Sequence, residues 1–341
     1  MRSFRIARRG WWLPSVVAGV WLGGAAPALA HGPVPEEPPS LTALLLEWTF
    51  PPLVTLGILV AGLAWWAAIR RIRRRHPANP VPRSRSLAII GALAVLGFAL
   101  ASGIERYDTT LFWVHMVQHV LLVLVVAPLV ALAAPVTVLL RVAGPGTRRV
   151  LVRVLRSRPL RVLASPVTAW LIFAGVMWLS HFSGLFDAAL EDPLIHEAEH
   201  ALFLASALLF WWPVVGLDPA PHRLGFPARI GYTFLQMTQN TFLAVVILNA
   251  PGVLFPHYAT LGAPYGLDAL TDQRAAAGIM WLAGDAIFLT AIMLLVAAWM
   301  RADARGTRRS DRIAAMELAR IRVRERELAE RLGREHGEGS T

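Results

Sequence analysis

Apolar residues run along this chain in seven blocks, near 46–69, 86–104, 111–133, 166–182, 197–215, 230–250 and 274–300. A helix rising 1.5 Å per residue needs about 20 such residues to cross a hydrocarbon core roughly 30 Å thick. The pattern therefore predicts an all-α, polytopic membrane protein built as a seven-transmembrane-helix bundle. Pro51, Pro52, Pro128 and Pro213 fall in or near span ends, where neighbouring helices can satisfy the carbonyls that proline frees. No internal repeat stands out.

The polar blocks between the spans set the orientation. Arg crowds the link after the first span (RRIRRRHPANPVPRSR), the link after the third and the stretch beyond Met300, whereas the links after spans two, four and six hold a single Arg, Arg106. Short Arg-rich loops stay in the cytoplasm, so the chain is predicted to run N-out, C-in. Within the third link, Val150, Leu151, Val154 and Leu155 recur at helical spacing beside Arg149, Arg153 and Arg156, the signature of a helix lying along the inner leaflet.

The two ends read differently from the middle. Arg2, Arg5, Arg8 and Arg9 precede an apolar run and Ala28-Leu29-Ala30, so residues 1–30 are expected to be a signal peptide, with an uncleaved first span as the alternative. Residues 31–45 form a Pro-rich extracytoplasmic segment, 46–300 the membrane domain and 301–341 a charged cytoplasmic tail that mixes Arg and Glu. Cleavage after Ala30 would leave His31 with a free amine, a pair able to hold copper; the plainer reading is an exposed His in a linker.

Composition narrows the chemistry. Of 341 residues 56% are hydrophobic and only 16% charged, and the mean hydropathy is +0.52. The formal charge is +11 and every Lys/Arg-type side chain is Arg, but the excess sits in loop blocks, which points to membrane topology and a lipid bilayer and away from nucleic acid. There is no Cys, which excludes disulfides, thiolate metal sites, iron–sulfur clusters and a Cys nucleophile. Any metal must rest on His, Met, carboxylate or water. Nothing in the sequence speaks to oligomeric state.

On the predicted topology His31, His115, His119, His181, His196, His200 and His257 fall on the outer side, leaving His76, His222 and His336 for the cytoplasm. His115 and His119 lie four apart in FWVHMVQHVLL, hence on one helix face about 6 Å apart along the axis. Met116 beside them offers a thioether suited to Cu(I). His196 and His200 repeat the spacing at the entrance of span five, flanked by Glu199, so a four-imidazole cluster forms if spans three and five are neighbours. His181 and His257 are further candidates, as ligands or as interfacial residues. Gln236, Gln239 and Asn240 share one face of span six, and Asp285 lies about 18 Å into span seven. A carboxylate there needs a partner, the span-six amides or Arg274 if the helix bends, and serves as interhelical glue or as part of an ion path.

IHEAEH also spells the HExxH of zinc proteases, with Glu197 in the position of the general base. Proteolysis is the weaker reading: the further Asp ligand such enzymes use has its nearest candidate in Asp218, across the bilayer by topology. A di-iron carboxylate site would need a second ExxH, which no other span supplies. Bis-His haem is not separated from copper by spacing alone.

Four stretches, ERYDTTLFWVHMVQHVLLVLVVAPLVALAAP, HEAEHALFLASALLFWWPVVG, QMTQNTFLAVVILNAPGVLFPHY and DQRAAAGIMWLAGD, resemble in residues and order the CtaG family of multi-span cytochrome c oxidase assembly factors associated with caa-type oxidases. The likeness covers residues 42–300 or so. It implies an assembly factor or chaperone and not an enzyme, a bacterial-type plasma membrane location, cytochrome c oxidase subunits as partners and copper as the metal handled, with His115, His119, His196 and His200 as ligands and Met116 and His181 as secondary ones. A copper transporter using Gln239, Asn240 and Asp285 is the rival function. Because imidazole must be neutral to ligate, metal binding is expected to weaken as pH falls through the His range.

Overall fold

A computed structural model describes residues 34–338, so the expected signal segment and His31 lie outside the described residues. Every described regular element is a helix. After α1 (Leu41–Leu46) come α2 (Pro52–Arg75), α3 (Arg83–Ala101) and the short α4 (Gly103–Tyr107). Next, α5 (Phe112–Val120) passes through a π turn (Leu121–Val126) into α6 (Ala127–Ala133), and α7 (Pro135–Val142), α8 (Pro145–Leu155) and α9 (Arg158–Leu163) form the Arg-rich link. The remainder is α10 (Pro166–Phe182), α11 (Leu185–Glu191), α12 (Pro193–Val215), α13 (Phe226–Leu248), α14 (Pro256–Thr260) and the long α15 (Ala269–Glu338).

All seven apolar blocks are thus helical. Five helical stretches, Pro52–Arg75, Arg83–Tyr107, Phe112–Val142, Pro193–Val215 and Ala269–Arg326, are long and apolar enough to cross a membrane. A sixth arises if α10 and α11, bent by 69° at their junction, are taken together. The fourth block ends in this bend because α10 stops after 17 residues and Ser183 turns extended. The sixth block forms a 23-residue helix, α13, whose middle carries Gln236, Gln239 and Asn240; those amides keep it out of the apolar class.

Contacts sort the connections onto two ends. At one end Arg141 bonds the carbonyl of Asn79, His222 bonds that of Arg161, and Asp218 accepts from Val136 N (3.0 Å), Thr137 N (2.6 Å) and Thr137 Oγ1 (2.6 Å). Asp218 thereby caps the N-terminus of α7, whose first N–H groups have no partner within the helix. At the other end Arg106 pairs with Glu47, and the Tyr107 and Tyr265 hydroxyls donate to the carbonyls of Glu37 and Pro35. There Asp272, from the first turn of α15, accepts from Phe112 N (2.7 Å) and Trp113 N (3.0 Å) and caps α5. The second end holds His115, His119, His196 and His200; the first holds most of the Arg.

Close packing sets the break between α3 and α4. A side chain at Gly103 would strike the backbone carbonyl of Ala43, so α1 lies directly on this glycine. Ser102 completes the turn by donating to Phe98 O and accepting from Ile104 N. Around α5, α10, α12, α13 and α15 the interior is aromatic, with Phe112, Phe173, Phe186, Phe203, Phe210, Phe255 and Phe288 all buried. By contrast α2 shows Leu53, Leu56, Leu59, Val60, Leu63 and Trp66 to its surroundings, as a lipid-facing helix does.

The π turn leaves one carbonyl to be satisfied from outside its own helix. In i→i+5 pairing the carbonyl of Val123 would receive the N–H of residue 128, which is Pro128 and has none. The indole of Trp211 on α12 donates to that carbonyl instead, at 3.0 Å. The wide turn is therefore stitched to α12 immediately below the histidines. Replacing Trp211 with Phe, which keeps the ring but not the donor, should leave this buried carbonyl unpaired and destabilise the protein by about 1–3 kcal/mol. A lowered unfolding temperature in detergent checks this, and an unchanged one would mean the carbonyl finds another donor.

Candidate metal centre

His115 and His119 lie on the inward face of α5, and His196, Glu199 and His200 share one face of α12 at the i, i+3, i+4 positions that a helix brings together. All five are buried, His115 completely. The imidazole rings meet across the two helices. Centroids are 4.3 Å apart for His115 and His119, 4.3 Å for His196 and His200, 5.6 Å for His115 and His196, and 5.8 Å for His119 and His200.

Two carboxylates complete the group. Asp108, His115 and His196 place one ligating atom each within 4.8 Å of one another, and so do His115, His119 and Glu199. An ion about 2 Å from each ligand needs those atoms about 3–4 Å apart, so small rotamer shifts would close either triad. His115 belongs to both. Asp108 follows α4, and its position is fixed from two sides: its carboxylate meets His196 Nε2 at 3.1 Å, and its backbone carbonyl accepts from the hydroxyl of Tyr258 at 2.8 Å.

The hydrogen-bond balance is what singles the site out. Among the described residues, both nitrogens of His115, both of His119, Nδ1 of His200 and both oxygens of Glu199 are buried with no hydrogen-bond partner. Buried polar atoms in native proteins are almost always paired, and an isolated carboxylate in a dry interior is especially costly. A cation would meet this deficit at once: the imidazoles offer lone pairs and the carboxylates offset charge. The residues present fit a metal ion.

Neighbouring groups also decide which lone pairs are free. Gln118 Nε2 donates to Ala99 O (3.0 Å) and Glu105 Oε2 (2.6 Å), which fixes the amide orientation, so Gln118 Oε1 accepts from His200 Nε2 at 3.0 Å. That bond holds the His200 proton on Nε2 and turns Nδ1 into a bare lone pair, the arrangement in which outer partners orient a metal-binding His. His181 is treated alike: its Nδ1 lies 2.7 Å from the Met177 carbonyl, leaving Nε2 buried and unpartnered.

Of the residues singled out in the sequence, His115, His119, His196 and His200 come together. His181 belongs to neither triad, and together with Met116 it lines a small cavity that also touches His119. His257 takes another role: its ring bonds Thr109 O at 2.9 Å and its backbone N–H reaches Asp187, bracing the loop over Asp108. Asp285 finds a partner in the Thr241 hydroxyl, at 2.8 and 2.9 Å, and not in an amide; Asn240 donates to Met280 O, and Arg274 is exposed. Sequence reasoning missed Asp108 and Gln118 and gave Glu199 only a flanking place. The HExxH glutamate, Glu197, is half-buried and in neither triad.

Comparison with known proteins gives a consistent picture. The family model for cytochrome c oxidase caa3 assembly factors (Caa3_CtaG) matches residues 63–302. An uncharacterized protein of Mycobacterium bovis is 31% identical over 293 residues, 83% of this chain and 44% of its own length. An uncharacterized protein of Mycobacterium leprae is 30% identical over 286 residues, 82% of this chain and 43% of its own. The chain thus spans less than half the length of these relatives. No solved structure matches.

Gln118 supplies a direct test of the site. Gln118→Leu removes the acceptor that sets the His200 tautomer, and affinity for added Cu(II), measured by competition titration, should fall about 10- to 100-fold with helical content retained. Unaltered affinity would show that His200 does not depend on this partner.

Proposed function

Because the chain belongs to the family of cytochrome c oxidase caa3 assembly factors, we propose that it serves oxidase maturation by holding copper as cargo between α5 and α12 and passing it to an oxidase subunit. The observation that carries this reading is the set of buried imidazole and carboxylate atoms of His115, His119, His200 and Glu199 that have no partner among the described residues. His115, His119, His196 and His200 would supply neutral nitrogen ligands, and Asp108 and Glu199 would balance a divalent charge. Imidazole and carboxylate together suit copper without thiols, which agrees with a chain that has no Cys. Transfer would proceed by ligand exchange, a docked subunit's own ligands displacing these one at a time.

The setting we propose is a bacterial plasma membrane crossed by seven spans, N-out and C-in, with the histidine end outside. The Arg-rich end, with α8 and α9, would then meet the cytoplasmic leaflet. Two rivals have less behind them. Zinc proteolysis asks Asp218 to be a ligand, yet Asp218 caps α7 at the far end of the bundle. Copper transport would run through Gln239, Asn240 and Asp285. Asn240 and Asp285 are engaged in helix–helix hydrogen bonds, the structural role such groups serve in membranes.

Metal analysis of the purified protein, with and without His115→Ala/His119→Ala, tests the site. The double variant should lose most of the bound copper; equal copper in both would refute it. A deletion strain should contain oxidase short of copper while total cell copper stays near normal, whereas a transporter would instead load sealed vesicles containing this protein alone.

A further inference from the structure

Below the imidazole–carboxylate group lies a second feature of different chemistry. Met116 and His119 from α5, Met177 and His181 from α10, Asn240 from α13 and Met280 from α15 converge on one small cavity, otherwise walled by Val, Leu and Phe. The cavity volume is about 20 Å³, room for one small body and no more. Three methionines from three helices therefore line the cavity together with two histidines, and all three Met side chains are buried.

Packing alone does not account for this group. Methionine is a common gap-filler, but a gap-filling core does not place a bare nitrogen lone pair against the gap. His181 does. Its Nδ1 proton is committed to the Met177 carbonyl, one helical turn back, so Nε2 is a buried acceptor with no hydrogen-bond partner among the described residues. Among the described residues lining the cavity, the His119 ring and the Asn240 amide are the side chains able to donate to it, and Asn240 Nδ2 already donates to Met280 O at 3.1 Å.

Charge separates this cavity from the site above it. Asp108 and Glu199 can neutralise a divalent ion, but no carboxylate lines the cavity. The cost of burying an ion in low dielectric rises with the square of its charge, so a dry pocket of neutral ligands favours a monovalent ion over a divalent one. Thioether and imidazole are soft and borderline donors that select Cu(I) among the first-row metals.

We propose that the cavity lined by Met116, Met177, Met280, His119 and His181 is a second metal station, specific for monovalent copper and adjoining the imidazole–carboxylate site through His119. The biological cargo rests on the copper-handling reading above, whereas the ligand chemistry stands without it. No electron transfer is invoked: the ion enters and leaves this station as Cu(I).

The test uses the full chain in detergent, loaded anaerobically with Cu(I) and, separately, with Cu(II), and read by metal stoichiometry and X-ray absorption at the copper edge. Wild type loaded with Cu(I) should show sulfur scatterers. Met177→Leu/Met280→Leu, a swap that nearly conserves volume, should lose that sulfur signal and one equivalent of Cu(I) while keeping its full Cu(II) content. His181→Phe, which retains a ring, should lose the same equivalent. His196→Phe should do the reverse, losing Cu(II) while sulfur-bound Cu(I) persists. Absence of sulfur scattering from wild type, or its survival in both cavity variants, would overturn the proposal. Loss of Cu(II) in His196→Phe reports on the upper site separately, so either reading can fail alone.

Discussion

A low-dielectric interior leaves buried imidazoles and carboxylates no indifferent state: each must be paired, neutral or bound to an ion. The arrangement between α5 and α12 is governed by that constraint. Asp108, Gln118 and the Met177 carbonyl take one nitrogen each from His196, His200 and His181. These bonds occupy one side of each ring and aim what is left over, and in His200 and His181 the remaining nitrogen has no partner among the described residues. A protein that merely needed polar glue between helices would have satisfied both ends of such rings.

Holding that surplus in register requires stiff supports, and these come from side chains placed far away in sequence. Asp272 caps the N-terminus of α5 from the start of α15, so the helix carrying His115 and His119 begins at a fixed point. Tyr258 and His257 hold the segment from Asp108 to Thr109 from the other side. Trp211 ties α12 to the π turn just beneath His119. The aromatic cluster of Phe112, Phe186 and Phe255, with centroids 4.5–5.4 Å apart, closes the flank and keeps water out.

Much of this was legible before any coordinates. Hydropathy located the long apolar helices because lipid imposes one length and one polarity on whatever crosses it. The paired histidines were legible because a four-residue spacing means one face. Glu199 was legible too: it stands three residues after His196 and so shares its face, which Glu197, one residue after, does not. Asp108 was not, since the break at Ser102 and the extended residue Leu111 isolate it from any helical period. Met177 and Met280 were hidden for another reason: single Met residues in apolar helices carry no pattern until the neighbouring helices are known. The number of spans was less legible than the helices themselves, because the bend after α10 and the amides in α13 blur the length and polarity that define one.

The π turn between His119 and Pro128 has a consequence for how the two halves of that long helix are phased. One residue in an α-helix advances the winding by about 100°, and a wide turn absorbs a single extra residue without altering the path of the chain. The imidazoles above the turn and the α6 surface below it therefore face directions that regular winding would not reconcile. Shortening 121–126 by one residue would restore an unbroken spiral, but at the expense of swinging His115 and His119 away from α12, or α6 away from its own neighbours. Chain length at this one place sets the azimuth of the His115 and His119 rings.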